Sequence, residues 1–216
     1  MKCFARWYSD CHGGASFRDQ TILQFGDSWE FRASFVLLNP GSALPLNESD
    51  QTDWLRDKDL PFFVSPKDGE KYVQFSVDRL MRDVMTLFSA HFSGGAIRLH
   101  NLFNLKNQDS ADAVDQIAAY SSHPKMFAKD ADIRFCHAPV IVASGGYSEN
   151  NDVLRAELIR LVRLARLEFL FALSRIAPRS FSILQATPNG DGFVKSYHPS
   201  YTFKYGNTTT IGEIQT

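Results

Sequence analysis

Residues 34–41, with the sequence SFVLLNPG, decide the fold that we predict for this chain. An uncharged run leads directly into Asn39-Pro40-Gly41, which is typical of a buried strand that ends in a sharp turn. Ligands of an open parallel sheet bind beyond the carboxyl ends of its strands. Pro40 has a fixed φ angle and Gly41 can adopt most backbone conformations, so the turn can hold Asn39 at that edge. We therefore interpret Asn39 as facing a pocket, although the same tripeptide also occurs as an ordinary turn.

The later part of the chain alternates between apolar runs and helical patterns. Apolar residues recur at helical spacing over residues 77–88 and over 151–176. A shorter helical segment begins after the cap Asp109-Ser110. Residues 21–25 and 29–31 predict a hairpin that leads into the first strand. The predicted strands of the sheet are 34–38, 96–103, 139–143 and 181–186. This alternation predicts an α/β fold, a three-layer α/β/α arrangement with a central four-stranded parallel sheet.

Length and composition indicate an ordinary globular protein. The chain has 216 residues, of which 44% are hydrophobic and 22% charged, enough for one full core. The net charge of −1 argues against a strongly basic nucleic-acid-binding protein but allows a local basic patch. No segment has the pattern of a signal peptide or of a membrane span. We expect one domain over residues 1–216, a monomer in the cytoplasm with no membrane partner.

Cysteine usage favours neither a disulfide framework nor a metal site. The cysteines are Cys3, Cys11 and Cys136, too few for a disulfide framework or an all-cysteine iron–sulfur cluster. Cys11-His12 and Cys136-His137 bring histidines into the set, but no C-x-x-C spacing supports a zinc site. We expect no metal and no cofactor.

Residues 42–71 form a connection that is unusually long for a compact domain. Long ordered loops are often functional, and this one carries polar, charged and aromatic side chains. Because it begins beside Asn39, we predict that it forms one wall of the pocket, where Phe62 or Phe63 offers an aromatic face. The alternative is that both phenylalanines belong to the core and the segment packs elsewhere. Asp50 and Asp53 are the carboxylates of this segment that we consider as a possible general base.

Polar residues also follow the other predicted strands. Asn101 lies near the end of the second strand, Ser144-Gly145-Gly146 follows the third, and His198-Pro199-Ser200 follows the fourth. A histidine can donate a hydrogen bond to a developing anion, and an asparagine amide offers both a donor and an acceptor. This succession of polar strand ends predicts a single site at one edge of the sheet.

These motifs resemble those of the uracil-DNA glycosylase superfamily over residues 34–203. Residues 38–41 are similar to the water-positioning motif of its mismatch-specific branch, 96–101 to the strand whose asparagine reads the pyrimidine edge, and 198–200 to the second catalytic motif. The resemblance implies catalytic roles for Asn39 and His198, and base binding by Asn101, with Phe62 or Phe63 stacked on the base. It also implies DNA contacts from Gly41, Ser42, Ser200 and Tyr201.

The second motif departs from the family pattern. Tyr201-Thr202-Phe203 stands where the family usually has Pro-Leu-Ser, so Tyr201 or Phe203 would replace the leucine that wedges into the duplex. The segment after Asn39 is also longer than in the family. Both departures argue against plain uracil as the substrate.

The resemblance implies a monofunctional DNA glycosylase that flips out a damaged or modified pyrimidine and leaves an abasic site. The long segment 42–71 favours a bulky base, for example a glucosylated hydroxymethylcytosine, and with it a role in defence against phage. The alternatives are a uracil or mismatch repair glycosylase, an enzyme of free nucleosides or nucleotides, and a nucleic-acid-binding protein of the same fold without activity.

Overall fold

A nine-stranded sheet with helices against both faces organises residues 1–9, 14–67, 69–204, 206–212 and 214, which the computed structural model describes. The sheet order is β4-β1-β2-β5-β3-β6-β7-β8-β9. The predicted mixed α/β class is confirmed. Cys11 and His12 lie outside the described residues. The strands are β1 (Lys2–Ser9), β2 (Ser16–Phe25), β3 (Phe31–Leu37), β4 (Tyr72–Phe75), β5 (Gly95–Asn101), β6 (Val140–Val142), β7 (Leu170–Ala177), β8 (Ser180–Gln185) and β9 (Thr208–Thr210).

The helices are short apart from two, and four of the described helices have a side-chain cap at the amino end. The carboxylate of Asp78 accepts the N–H of Met81 at 2.9 Å, so the predicted helix over 77–88 begins slightly later than expected. Asp109 caps the next helix, as predicted. The helices are α1 (Thr52–Arg56), α2 (Arg79–Ser89), α3 (Ser110–Asp115), α4 (Ile117–Tyr120), α5 (Tyr147–Asn150), α6 (Asp152–Leu164) and α7 (Pro199–Thr202), with 3-10 turns at Asp130–Asp132 and Leu167–Phe169.

Parallel pairing holds the middle of the sheet together. β3 pairs in parallel with both β5 and β6, and β6 pairs in parallel with β7. The two faces of these strands pack against separate helices, with Leu37 in the cluster under α2 and Val36 in the cluster under α6. Burial on both faces explains why the strands read as continuous apolar runs. The carboxyl ends of β3, β5 and β6 therefore meet at one edge.

The predicted hairpin before the first strand is wrong. β5 lies between β2 and β3, because Ile97 pairs with Leu23 on one side and with Ala33 on the other. The turn after Phe25 connects two strands that are not neighbours. Local turn residues indicate a change of direction, but they do not show which third strand fills the space between.

The predicted long helix over 151–176 is also wrong in its second half. α6 ends at Leu164, and the apolar run that follows forms β7. A short apolar run has no periodicity that separates helix from strand, which explains the error. β8 then pairs antiparallel with β7, so the run 181–186 is not the fourth parallel strand that we predicted.

Residues 42–71 pack along the outer part of the sheet. Leu55 and Phe62 are buried in one cluster with Phe4 and Ile22, and the ring of Trp54 lies 5.2 Å from that of Phe4. The segment thus covers β1 and β2 on the face opposite α2. Among the described residues, no helix has the length and apolar character needed to cross a membrane.

Candidate functional site

A cavity of about 310 Å³ opens at the carboxyl ends of β3 and β5, and we call it the main cavity. It lies where the opening strand of the sequence predicts a ligand site. A second cavity of about 380 Å³, the side cavity, shares three of its residues, Ser110, His198 and Ser200. Six predicted site residues line the main cavity: Asn39, Gly41, Ser42, Asn101, His198 and Ser200.

The amide of Asn39 is held in one orientation. Its Nδ2 group donates to the carbonyl oxygens of Pro40 at 3.0 Å and Asn107 at 2.9 Å, which uses both of its hydrogens. Its Oδ1 accepts the hydroxyl of Ser110 at 3.3 Å. A carbonyl oxygen has two lone pairs, so one acceptor position remains on Oδ1. Asn39 is therefore prepared to accept a hydrogen bond from a water molecule and not to donate one.

His198 is held in one tautomer. The backbone N–H of Ser200 donates to its Nδ1 at 3.2 Å as the cap of α7, and the Ser200 hydroxyl lies 2.7 Å from the same nitrogen. Since a backbone N–H only donates, Nδ1 must be the acceptor, and the proton of the neutral ring sits on Nε2. Burial, assisted by the charge of Lys204, lowers the pKa of His198 to about 4. The side chain is thus a neutral Nε2–H donor at neutral pH.

Gly145 lets His198 approach the end of β6. The φ angle of Gly145 is +77°, and a Cβ atom at this position would lie 2.8 Å from the Cβ of His198. Both observations require glycine. The predicted small-residue turn after the third strand is therefore a packing surface for His198.

The chain reaches His198 by a different path from the predicted one. β8 is antiparallel to β7, so its carboxyl end at Gln185 lies at the edge away from the site. Residues 186–197 return to the site, where the N–H of Tyr197 donates to the carbonyl of Leu173 at 2.8 Å. The N–H of Ser144 also donates to the hydroxyl of Ser196 at 3.1 Å. His198 thus lies at the predicted site but does not follow a parallel strand.

Asn101 presents its amide to the main cavity from the last residue of β5. The side chain is buried and has no hydrogen-bond partner within the part of the chain that the structure describes. Its amide atoms are not among the buried atoms that lack a partner, so they are open to the cavity and available to a ligand.

Phe62 and Phe63 do not belong to the site. Phe62 is 1% exposed and its ring lies 4.5 Å from that of Phe31, while Phe63 stacks on Tyr72 at 5.3 Å. Neither lines either cavity. The role of base stacking that we predicted for them is replaced by the core role. The described lining of the main cavity is aliphatic instead, with Leu37, Leu80, Met81 and Leu99.

The predicted wall from residues 42–71 is wrong for its described part. Ser42 is the one residue of that segment in the described lining of the main cavity. Asp50 accepts the N–H of Thr52 at 2.8 Å, and Asp53 pairs with Arg56 on the surface, so neither is placed as a base. The first turn and a half of α2 forms this wall. The length of this segment therefore gives no support for a bulky base.

Sequence reasoning missed several lining residues. Arg18 and Thr21 come from β2, and Asp78 comes from the start of α2. β2 runs antiparallel to β5, so its amino end reaches the site edge, where the N–H of Arg18 donates to the carbonyl of Asn104 at 2.9 Å. No local signal marks a residue so distant in sequence. Asp109-Ser110 was recognised as a helix cap, but the contact from Ser110 to Asn39 was not.

Two exposed tyrosines border the side cavity. Tyr201 is 56% exposed and Tyr147 is 42% exposed, whereas Phe203 packs against the core. Of the two residues considered as a wedge, Tyr201 is thus the accessible one. Arg79 and Lys204 line the main cavity and supply positive charge there.

The described residues contain no cluster of three or more histidine, cysteine, aspartate or glutamate side chains suited to a metal ion. Cys3 lies in the core under α2, and Cys136 lies against the cluster on the opposite face. No family model, curated protein or solved structure matches this chain. The geometry of the main cavity is therefore the observation from which a function can be inferred.

Proposed function

We propose that the protein is a monofunctional DNA glycosylase of the uracil-DNA glycosylase type, which hydrolyses the N-glycosidic bond of a flipped-out pyrimidine. The observation that carries this proposal is the convergence of Asn39, Asn101 and His198 on one cavity, although they are far apart in sequence. The parallel run β5-β3-β6-β7 supports the proposal, because the resemblance implies a four-stranded parallel sheet. Cavities of small-molecule sites are roughly 300–1,000 Å³, so the main cavity suits a single base.

Cleavage of a base–sugar bond develops positive charge on the sugar and negative charge on the departing base. The Nε2–H of His198 donates to an oxygen of that base as its charge grows. A fixed donor of this kind contributes about 3–4 kcal/mol to the transition state. Because the ring is neutral, it stabilises the departing anion by hydrogen bonding and not by proton transfer.

Asn39 holds the attacking water through its remaining Oδ1 acceptor position. An amide does not take a proton at neutral pH, so Asn39 orients the water and does not act as a general base. Asn101 reads the donor and acceptor groups on the base edge. This division of roles suits a base that leaves readily.

The rim of the site carries side chains that support binding to DNA. Arg79 and Lys204 are placed to meet phosphates, and the exposed ring of Tyr201 is placed to fill the gap left by a flipped nucleotide. The overall charge of −1 makes such a local arrangement necessary for binding.

Single-turnover base release from matched single- and double-stranded oligonucleotides tests the proposal. The oligonucleotides carry uracil, mismatched thymine, or hydroxymethylcytosine with and without glucose. We expect release from at least one of them, and a loss of about 100-fold or more in Asn39→Ala and His198→Ala with folding preserved. Asn47→Ala and His91→Ala, at exposed positions outside the cavity, are the matched controls. Full activity in either site variant contradicts the proposal.

Asp78 supports a second candidate, an enzyme that cleaves free nucleosides or nucleotides. Such enzymes use a carboxylate nucleophile. Asp78 lines the main cavity, and among the described residues only its Oδ1 is engaged, by the N–H of Met81. Release of base from free deoxynucleosides, lost in Asp78→Asn and absent on DNA, would establish this activity in place of the first.

A further inference from the structure

Arg18 is a buried arginine that the proposed reaction does not use. It is 2% exposed, lines the main cavity, and has no carboxylate within 4 Å of its guanidinium among the described residues. Its Nη1 reaches the carbonyl of Ala43 at 3.4 Å and its guanidinium lies 5.4 Å from the ring centre of Phe75. Its Nε is buried and has no hydrogen-bond partner in the part of the chain that the structure describes. Burial of a charge with so little compensation is costly.

Thr21 lies beside the same cavity with an unused hydroxyl. It is 1% exposed, and its Oγ1, which is closed off from solvent, has no hydrogen-bond partner among the described residues. Buried hydroxyls nearly always have a partner in folded proteins. Two polar side chains with unsatisfied atoms therefore border one cavity. The Nη2 atom of Arg18 is not among the atoms closed off from solvent, so it is the atom that a ligand in the cavity reaches directly.

A β-bulge at Gln20 places Arg18 and Thr21 on the same face of the sheet. In a regular strand, residues three apart point to opposite faces. Phe4 pairs with Ile22 but Arg6 pairs with Asp19, so β2 contains one extra residue there, and Gln20 has a φ of 53°. Bulges of this kind re-aim side chains and are common next to active sites. A non-glycine residue with positive φ also stores strain that the surrounding structure must support.

The cross-strand partners of Arg18 and Thr21 lie on the face of the sheet that packs under α2. Thr21 pairs with Leu99 and Arg18 pairs with Trp7, and both partners pack in the core cluster under α2. Asn101 lies two residues beyond Leu99 on β5 and therefore shares this face. The two unsatisfied groups thus lie on the same side as the amide that we assign to base recognition.

Asp78 is a nearby opposite charge of Arg18 but forms no ion pair with it within 4 Å in the described part of the chain. Burial lowers its pKa, while Cys3 and Asp78 act in the opposite direction. The same burial raises the pKa of the Cys3 thiol to about 12, so this neighbour carries no charge at neutral pH. An arginine side chain keeps its proton in proteins and offers donors only. Its ligand must therefore bring acceptor atoms, and a negative charge is the best match.

We propose that Arg18 and Thr21 form a subsite for an anionic oxygen group of the ligand, which we call the Arg18 subsite. It rests on the proposed function in one respect, because it assigns the charge to a nucleobase substituent or a nucleotide phosphate. The guanidinium donates to the anionic oxygens through Nη2, and the Thr21 hydroxyl turns towards them about χ1 to complete their coordination. Asn101 then reads the base edge next to this group.

Two pairs of free ligands test the subsite by calorimetry on the intact protein. Uracil-5-carboxylate is compared with thymine, whose methyl group replaces the carboxylate, and deoxyuridine 5′-phosphate is compared with deoxyuridine. We expect the charged member of one pair to bind at least about tenfold more tightly, as for a hydrogen bond to a charged group. The pair that shows the preference identifies the source of the charge. Equal binding within both pairs overturns the proposal.

Variants assign the preference to the named residues. Arg18→Gln should remove it, and Thr21→Val, a change of nearly equal volume, should weaken the charged ligand several-fold while both proteins melt cooperatively. Arg82→Gln removes an equal charge from an exposed position on α2 outside the cavity and should keep the preference. If Arg18→Gln does not fold, Thr21→Val decides the outcome. A preference that survives in Thr21→Val and in any folded Arg18→Gln overturns the assignment.

The outcome is separable from that of the glycosylase assay. A charge preference that depends on Arg18, without base release from DNA, supports the subsite and refutes the glycosylase. Base release from DNA together with equal binding within both ligand pairs supports the glycosylase and refutes the subsite.

Discussion

Two arginines on neighbouring strands are equally buried and differ in almost everything else. Arg6 of β1 and Arg18 of β2 are each 2% exposed, and they lie on opposite faces of the sheet. Arg6 donates to both carboxylate oxygens of Asp19, at 2.9 and 2.8 Å, and to Glu70 at 2.7 Å. Arg18 has no such partner among the described residues and borders the main cavity instead.

The difference shows in their acidities. For Arg6, burial works to lower the pKa, but the hydrogen bonds and charge of Asp19 outweigh it and the pKa is raised. For Arg18 burial prevails and the pKa is lowered. A buried charge whose partners are provided by the fold has a structural role. One whose partners are missing, next to a cavity, is available to a ligand.

A third arginine shows that unsatisfied polar atoms alone do not make a site. Arg98 is also buried, its Nε and Nη1 have no hydrogen-bond partner among the described residues, and its guanidinium lies 5.7 Å from the ring centre of Phe62. It lines neither the main nor the side cavity. The adjacent space is what separates Arg18 from Arg98.

Replacement of Arg6 should have the largest effect on stability. In Arg6→Met the carboxylates of Asp19 and Glu70 lose their buried partner, so we expect the free energy of unfolding to fall by about 3–5 kcal/mol. Urea denaturation at neutral pH measures it. A loss below about 1 kcal/mol would show that the Arg6 network is not structural.

The pH dependence of stability should reveal the same network through Glu70. Burial works to raise the pKa of Glu70, but the hydrogen bonds from Lys125 and the Lys67 N–H and the charge of Arg6 lower it from 4.5 to about 2. The unfolded chain then binds the proton first, so this stabilisation is complete above about pH 5 and is lost as the pH falls towards 2. Denaturation of Glu70→Gln over this range should show a shallower acid slope than the wild type. An unchanged slope contradicts the assignment.

His198 should contribute at higher pH, on the cavity side. Its pKa is lowered from 6.5 to about 4, so the unfolded chain takes up a proton before the folded one does. Stability from this group is present above pH 6.5 and is lost as the pH falls towards 4. His198→Gln should remove part of this slope. The buried His100, whose pKa is also lowered by burial, accounts for a remaining slope in this range.

Replacement of Arg18 should have the smallest effect on stability. Arg18→Met removes a buried charge and leaves no carboxylate without a partner, so we expect a free energy of unfolding equal to or above that of the wild type. Urea denaturation of Arg18→Met, run in parallel with Arg6→Met, measures this free energy directly. A fall as large as that of Arg6→Met would make Arg18 a structural residue and remove the contrast between the two faces.

Local sequence predicted the central strands and the polar residues at their ends. β3, β5 and β6 were found within a few residues, because uncharged runs bounded by glycine, proline and asparagine carry their own signal. Asn39 and Asn101 follow or end such runs directly, so their place in the main cavity followed from the topology. His198 was found by its motif, although the path of the chain to it was not predicted.

Tertiary structure decided what the cavity contains. Phe62 and Phe63 were chosen for their ring chemistry, but the apolar surface of β1 and β2 takes them into the core. Arg18 and Thr21 reach the cavity because β2 pairs antiparallel with β5 and has one extra residue at Gln20. Strand pairing between distant segments, and a shift of one residue within it, leave no periodic trace in the sequence, because a single bulge reverses which face every later side chain occupies.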